Sequence, residues 1–134
     1  MSPSSPSRSL RGCAAVALVF GLLTIVSGAR GLFGGPEQQA ALGAYVSFVL
    51  WFNFLAGFAY VVAAAGLWRG DAWAARLSVS IAAATALVFA AFGVHALLGG
   101  AYELRTVAAM SLRLVVWLGV AWWAHSATRG ARPA

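Results

Sequence analysis

Residues 73–98 read WAARLSVSIAAATALVFAAFGVHALL, and from Leu77 onward this stretch contains no formally charged side chain. A helix needs about 20 apolar residues to cross the hydrocarbon core of a bilayer. Three further apolar runs accompany it, at residues 13–29, 40–68 and 102–125. The sequence therefore predicts an all-α fold, a transmembrane four-helix bundle.

The composition explains why lipid must surround much of this chain. Hydrophobic residues make up 62% of the 134 residues and charged ones 9%, whereas soluble domains carry roughly 25% charged residues. The net charge of +6 comes from arginines scattered between the apolar runs, so the lipid bilayer and not nucleic acid is the expected partner. Cys13 is the single cysteine, which excludes an intramolecular disulfide.

The distribution of arginines predicts the orientation. With four spans, one side of the membrane holds six arginines and the other side holds Arg30 and Arg105. By the positive-inside rule, the six-arginine side is cytoplasmic, and both termini lie there. Because all the basic residues are arginine and alanine is abundant, we expect a bacterial inner-membrane protein. The six are Arg8, Arg11, Arg69, Arg76, Arg129 and Arg132.

The domain organisation follows from these runs. Residues 1–11 are rich in serine and proline and predict a disordered cytoplasmic tail. Residues 12–128 form the transmembrane domain, and residues 129–134 form a C-terminal tail. The first run is the shortest, and the Ser27-Gly28-Ala29 at its end is also typical of a cleavable signal peptide. A retained helix and a cleaved signal both stay open.

The last apolar run carries the residues that need an explanation. Glu103, Thr106, Met110, Arg113 and Trp117 are spaced 3, 4, 3 and 4 residues apart, which places them on one face of a helix directed into the bundle. Arg113 lies near mid-membrane, where an arginine costs about 2.5–3.5 kcal/mol on insertion scales. Glu103 is ten residues, or about 15 Å, away. Arg113 therefore needs another partner, water or a ligand.

Other polar residues occur at suitable depths for such a partner. Asn53 lies at a depth similar to that of Arg113, Tyr60 shares its helix face, and His95 ends the third span near Glu103. We therefore predict an outward-opening ligand-binding site that contains Arg113, Asn53, Tyr60, Glu103 and His95. The protein would bind a small anionic or polar ligand there or serve as an accessory subunit that uses this site. The alternative is a structural or interaction subunit, in a homo-oligomer or membrane complex, whose polar residues only join helices.

A metal-handling protein is a further alternative. His95 and Glu103 are possible ligands, with Met110 as a softer one, but their spacing matches no known metal motif. No catalytic triad, phosphate-binding loop or dinucleotide fingerprint is present in the sequence. An enzyme is therefore the least favoured class, and no cofactor is predicted.

A set of short motifs resembles a known family. Ser27–Arg30 close the first run, Gly57 and Gly66-Leu67 lie in the second, and a tryptophan-containing turn precedes an alanine-rich third run that ends at His95. This pattern resembles small four-helix DoxX-like bacterial membrane proteins. The resemblance implies the four-helix architecture. The acidic residue usual in the family's second helix is missing and Asn53 is nearby, so no site is carried over.

Overall fold

The computed structural model describes residues 8–44 and 46–130. The described residues form helices joined by short turns and include no strand. The helices are α1 (Arg8–Phe33), α2 (Pro36–Leu42), α3 (Ser47–Arg69), α4 (Ala72–Leu97) and α5 (Leu104–Gly130). Four of them, α1, α3, α4 and α5, are long and apolar enough to cross a membrane. The predicted all-α, four-helix architecture is confirmed.

The first and last helices extend beyond their predicted bounds. Helix α1 begins at Arg8, so residues 8–11 are helical and do not belong to the disordered tail predicted for residues 1–11. The physical reason is that Leu10 and Ala14 are buried in the core and hold the first turns against it. Helix α5 continues to Gly130, two residues past the predicted boundary. Residues 1–7 and 131–134 of the two predicted tails lie outside the described residues.

The structure divides the apolar run at residues 40–68 between two helices. The chain leaves helix α2 at Gly43, which has a positive φ of 70°, and helix α3 begins at Ser47. Such a backbone conformation is open to glycine at little steric cost. Pro36 begins α2, a position where its missing N–H and fixed φ suit a helix. The result is a short helix between the first two spans.

Helices α1 and α3 pack closely because glycines face each other at their crossing. A Cβ atom built on Gly57 would lie 2.7 Å from Cγ1 of Ile25 and 3.1 Å from the carbonyl oxygen of Gly21. A Cβ atom on Gly21 would lie 3.0 Å from the carbonyl oxygen of Gly57. Backbones can come this near only where side chains are absent, as in other membrane helix pairs with small residues at the interface.

The remaining contacts order the four spans around the bundle. Helix α3 also packs on α4, and α4 packs extensively on α5, whereas α5 and α1 touch only sparsely. The centre is filled by Tyr60 and Trp117, both fully buried, with ring centroids 4.7 Å apart. The bundle is thus closed tightly on three sides and loosely between α1 and α5.

Polar and aromatic contacts define the two ends of the bundle. At one end, the guanidinium of Arg11 lies 5.1 Å from the ring centroid of Trp68, and Arg69 pairs with Asp71 at 3.2 Å. We call this the arginine-rich end. At the other, the α2 end, Arg105 contacts α2. The start of α1 therefore shares an end with the α3–α4 turn, as a four-span arrangement requires.

Candidate polar cavity

A cavity of about 220 Å³ lies between α1, α3 and α5 and continues toward the α2 end. We call it the polar cavity. The structure brings three of the five predicted site residues to its wall: Asn53, Glu103 and Arg113. Its polar lining consists of Ser27, Asn53, Glu103, Arg105, Thr106 and Arg113.

Arg113 is half-buried in the wall of the polar cavity. Its Nε atom is inaccessible to solvent and has no hydrogen-bond partner among the described residues. Within the described ranges, no carboxylate forms an ion pair with Arg113. The Oδ1 atom of Asn53, on the same cavity, is likewise buried without a partner. Unpaired polar atoms in a membrane interior are costly, so this pair needs a physical explanation.

Glu103 does not supply the missing partner, because it binds a neighbouring segment. Its Oε1 atom accepts a hydrogen bond of 2.9 Å from the backbone N–H of Ala44. A Cβ atom on Gly43 would collide with this carboxylate, so the glycine is required for the close approach. Glu103 therefore ties the start of α5 to the α2–α3 connection.

Arg105 has a related role that sequence analysis did not identify. Its Nη2 atom donates to the carbonyl oxygens of Ala41 and Leu42, each at 3.2 Å. These carbonyls belong to the last turn of α2, where helix carbonyls lack partners and favour a positive charge. In the sequence, Arg105 served only to predict the orientation of the chain in the membrane. Its contact with α2 depends on the end of that helix at Gly43, which the sequence did not predict.

Tyr60 lies behind Arg113 and does not line the polar cavity. The phenol is fully buried, and its hydroxyl is near both the guanidinium of Arg113 and the hydroxyl of Thr85. The Tyr60 hydroxyl makes no hydrogen bond of good geometry to a described residue, since Thr85 donates to the carbonyl of Ile81 at 2.7 Å. Thr85 was not predicted as a neighbour of Tyr60, because its only signal in the sequence is a hydroxyl in an alanine-rich run.

His95 is placed apart from the other predicted site residues. Its Nε2 atom lies 3.0 Å from the carbonyl oxygen of Ala101, and its ring meets that of Phe48 edge-on at 6.4 Å. The physical reason is the turn after α4: Gly99 adopts a φ of 87°, and Gly100 packs directly against the imidazole. The ring therefore folds onto its own turn and does not line the polar cavity.

The metal-handling alternative gains no support from the described residues. Met110 is fully buried in an apolar cluster with Val46, Val49 and Phe92. Across residues 8–44 and 46–130, no three His, Cys, Asp or Glu side chains are grouped so that they could hold a metal ion.

A second cavity, of about 290 Å³, lies at the loosely packed α1–α5 side. We call it the lateral cavity. Its lining is Phe20, Leu23, Thr24, Ser27 and Arg113. Ser27 and Arg113 line both cavities, so Arg113 is reached from the α2 end and from the side of the bundle.

The four spans define the class of this chain as a small multi-pass membrane protein. The chain was also compared with protein-family models, curated proteins and solved structures, and none of them matches it.

The contact between Glu103 and Ala44 leads to a testable difference between two substitutions. Glu103→Gln keeps an acceptor oxygen for the Ala44 N–H, and we expect it to cost less than about 1 kcal/mol. Glu103→Leu leaves that N–H without its acceptor, and we expect a loss of about 1–3 kcal/mol. Thermal unfolding in detergent checks this order. Equal losses for both variants would contradict the assigned contact.

Proposed function

We propose that this protein is a non-enzymatic membrane protein that binds a small anionic or polar ligand in the polar cavity. The observation that carries the proposal is the pair of buried, unpartnered polar atoms in the cavity wall, Nε of Arg113 and Oδ1 of Asn53. A ligand that accepts a hydrogen bond from Arg113 and donates one to Asn53 would satisfy both atoms. Because neither atom is accessible to solvent, the two side chains would have to turn toward the ligand as it binds.

The distribution of charges around the polar cavity favours an anion. The carboxylate of Glu103 binds the Ala44 N–H, and the guanidinium of Arg105 binds the last carbonyls of α2. With Arg113, the wall carries two positive charges and one negative charge, and the guanidinium of Arg113 suits the planar, two-point recognition of phosphate or carboxylate. A phosphate with one proton both accepts from arginine and donates to an amide oxygen.

The size of the polar cavity limits the ligand. Its volume of about 220 Å³ is below the ~300–1,000 Å³ of sites for drug-sized molecules. It is also far above the roughly 10–15 Å³ that one water needs. The cavity is therefore suited to a group of phosphate or small carboxylate size together with water.

Phosphate is a suitable probe of this proposal. We expect phosphate to raise the unfolding temperature of the detergent-purified protein above that in chloride of equal ionic strength, since a ligand stabilises the state that binds it. Asn53→Leu retains similar volume but loses the amide. We expect this variant to need about tenfold more phosphate for the same rise in unfolding temperature. Ser80→Ala is the control, because Ser80 is exposed on α4 and donates only to the Arg76 carbonyl. Equal phosphate and chloride effects in the wild type would refute the proposal.

The location and orientation are part of the same proposal. A bacterial inner membrane with both termini cytoplasmic puts the α2 end outside, so the polar cavity opens away from the cytoplasm. We expect a reporter enzyme that works only in the cytoplasm to be active when it is fused to the C-terminus. A reporter that works only outside the cytoplasm should be active when it is placed at Gly35, in the α1–α2 turn. Activity outside from the C-terminal reporter would reverse the orientation.

A purely structural or interaction subunit of a membrane complex is the second candidate function. The observation that favours it is the placement of Tyr60 beside Arg113, where the two side chains join α3 to α5. In this alternative, the polar residues fix helix contacts and the cavity holds only water. The resemblance to DoxX-like proteins remains a proposal about architecture and supports neither function over the other.

A further inference from the structure

The lateral cavity gives the Arg113 site a second opening toward the lipid. Among the neighbouring membrane spans, α1 and α5, which border it, have the sparsest contact. Its outer wall is apolar, with Phe20 half-buried and Leu23 65% exposed. Thr24 and Ser27 add two hydroxyl groups to its lining, and Arg113 adds a guanidinium. One cavity therefore combines an apolar surface, two hydroxyls and a cationic group.

We infer that the ligand of Arg113 is an anionic lipid that enters from the side. Its phosphate would pair with Arg113, and an acyl chain would leave through the lateral cavity between Phe20 and Leu23. This inference rests on the proposed anion-binding function and adds the chemical class of the ligand. The proposed ligand is an anion that carries an acyl chain and is not a free anion from the aqueous phase.

The lining of the lateral cavity matches such a molecule. A free anion would need only the polar cavity, and the apolar opening beside Leu23 would have no role in binding it. An anionic lipid needs a cationic group, hydroxyl groups near its ester region and an apolar exit, and the lateral cavity is lined by all three. The chain stays in hydrocarbon throughout, so binding requires no transfer of apolar surface into water.

The depth of Arg113 is compatible with a headgroup. Arg113 is nine residues from the start of α5, about 14 Å along the helix axis. Helical side chains lean toward the N-terminus of their helix, so the guanidinium lies nearer the α2 end than its Cα atom. The polar cavity extends from Glu103 and Arg105 down to Arg113. A headgroup drawn below the membrane surface therefore remains in a polar environment.

Substitutions on α1 separate the lipid from a free anion. Leu23→Trp adds bulk to the lateral cavity but leaves the lining of the polar cavity unchanged. Leu22→Trp is the matched control, since Leu22 is an exposed neighbour that lines neither cavity. Native mass spectrometry of the full chain in detergent measures bound phosphatidylglycerol and phosphatidylcholine. Thermal unfolding measures the effect of inorganic phosphate and verifies that each variant folds.

For the wild type and the Leu22→Trp control, we expect phosphatidylglycerol to bind at least about tenfold more tightly than phosphatidylcholine. Leu23→Trp should abolish this preference and retain the response to inorganic phosphate. If phosphate stabilises the wild type but the two lipids bind equally, the lipid inference is overturned and the anion site stands. A phosphatidylglycerol preference that survives in Leu23→Trp overturns entry through the lateral cavity. If phosphate does not stabilise the wild type, the proposed function fails, and the lipid inference that rests on it fails as well.

Discussion

Replacing Gly57 by leucine is expected to force α1 and α3 apart and to destabilise the bundle by about 3 kcal/mol or more. A Cβ atom alone would lie 2.7 Å from Cγ1 of Ile25, 3.1 Å from the Ile25 nitrogen and 3.1 Å from the Gly21 oxygen. Two of these atoms belong to the backbone and cannot move aside as a side chain can. Overpacking a close-packed interior typically costs about 1–3 kcal/mol, and a clash with backbone lies at the upper end.

Two other glycines of the same bundle provide matched controls. Gly93 on α4 and Gly119 on α5 have open space where a Cβ atom would be placed, with no atom within 4 Å. Leucine at either position gains helix propensity, so we expect unchanged or slightly raised stability. Thermal unfolding in detergent is the measurement for all three variants. If Gly57→Leu is as stable as Gly119→Leu, the close crossing of α1 and α3 is wrong.

The four spans could be predicted from sequence because a membrane sets their length and composition directly. A run such as residues 77–98 has no soluble alternative that would hide its apolar surface. The break at Gly43 could not be predicted in this way. Residues 40–42 are Ala, Ala and Leu, so hydropathy continues through a position where the backbone turns. The positive φ of Gly43 and the carboxylate of Glu103 packed against it arise from tertiary contacts.

The candidate site was predictable to the extent that polar residues are conspicuous in an apolar chain. Arg113 and Asn53 could be singled out and paired by depth, and both line the polar cavity. His95 was grouped with them because sequence separation to Glu103 is short. Its actual position depends on the conformation of Gly99, which folds the imidazole onto the Ala101 carbonyl. Turn geometry of this kind is not contained in helical periodicity.

In the proposed site, Arg113 is expected to lower the stability of the folded protein and to provide the binding of the anion. An uncompensated charge in the bundle interior raises the free energy of the folded protein, and a bound anion offsets that cost. The Nε atom of Arg113 has no hydrogen-bond partner among the described residues. Arg113 should therefore be a destabilising residue when no anion is present, and a residue required for binding when one is.

Arg113→Met is expected to fold at least as stably as the wild type in anion-free detergent and to lose phosphate binding by a factor of about 10–100. The stability follows because methionine has an apolar chain and removes a buried charge whose ion-pair partner is missing. The binding loss corresponds to about 1.5–3 kcal/mol for one charged hydrogen bond. Arg113→Lys retains the charge but not the planar fork, so we expect intermediate binding. Thermal unfolding with and without phosphate, on the same preparations, gives both quantities.

Phosphate binding at the wild-type level in Arg113→Met would reject the anion site. A strong loss of stability in that variant would instead assign Arg113 to the helix contact with Tyr60.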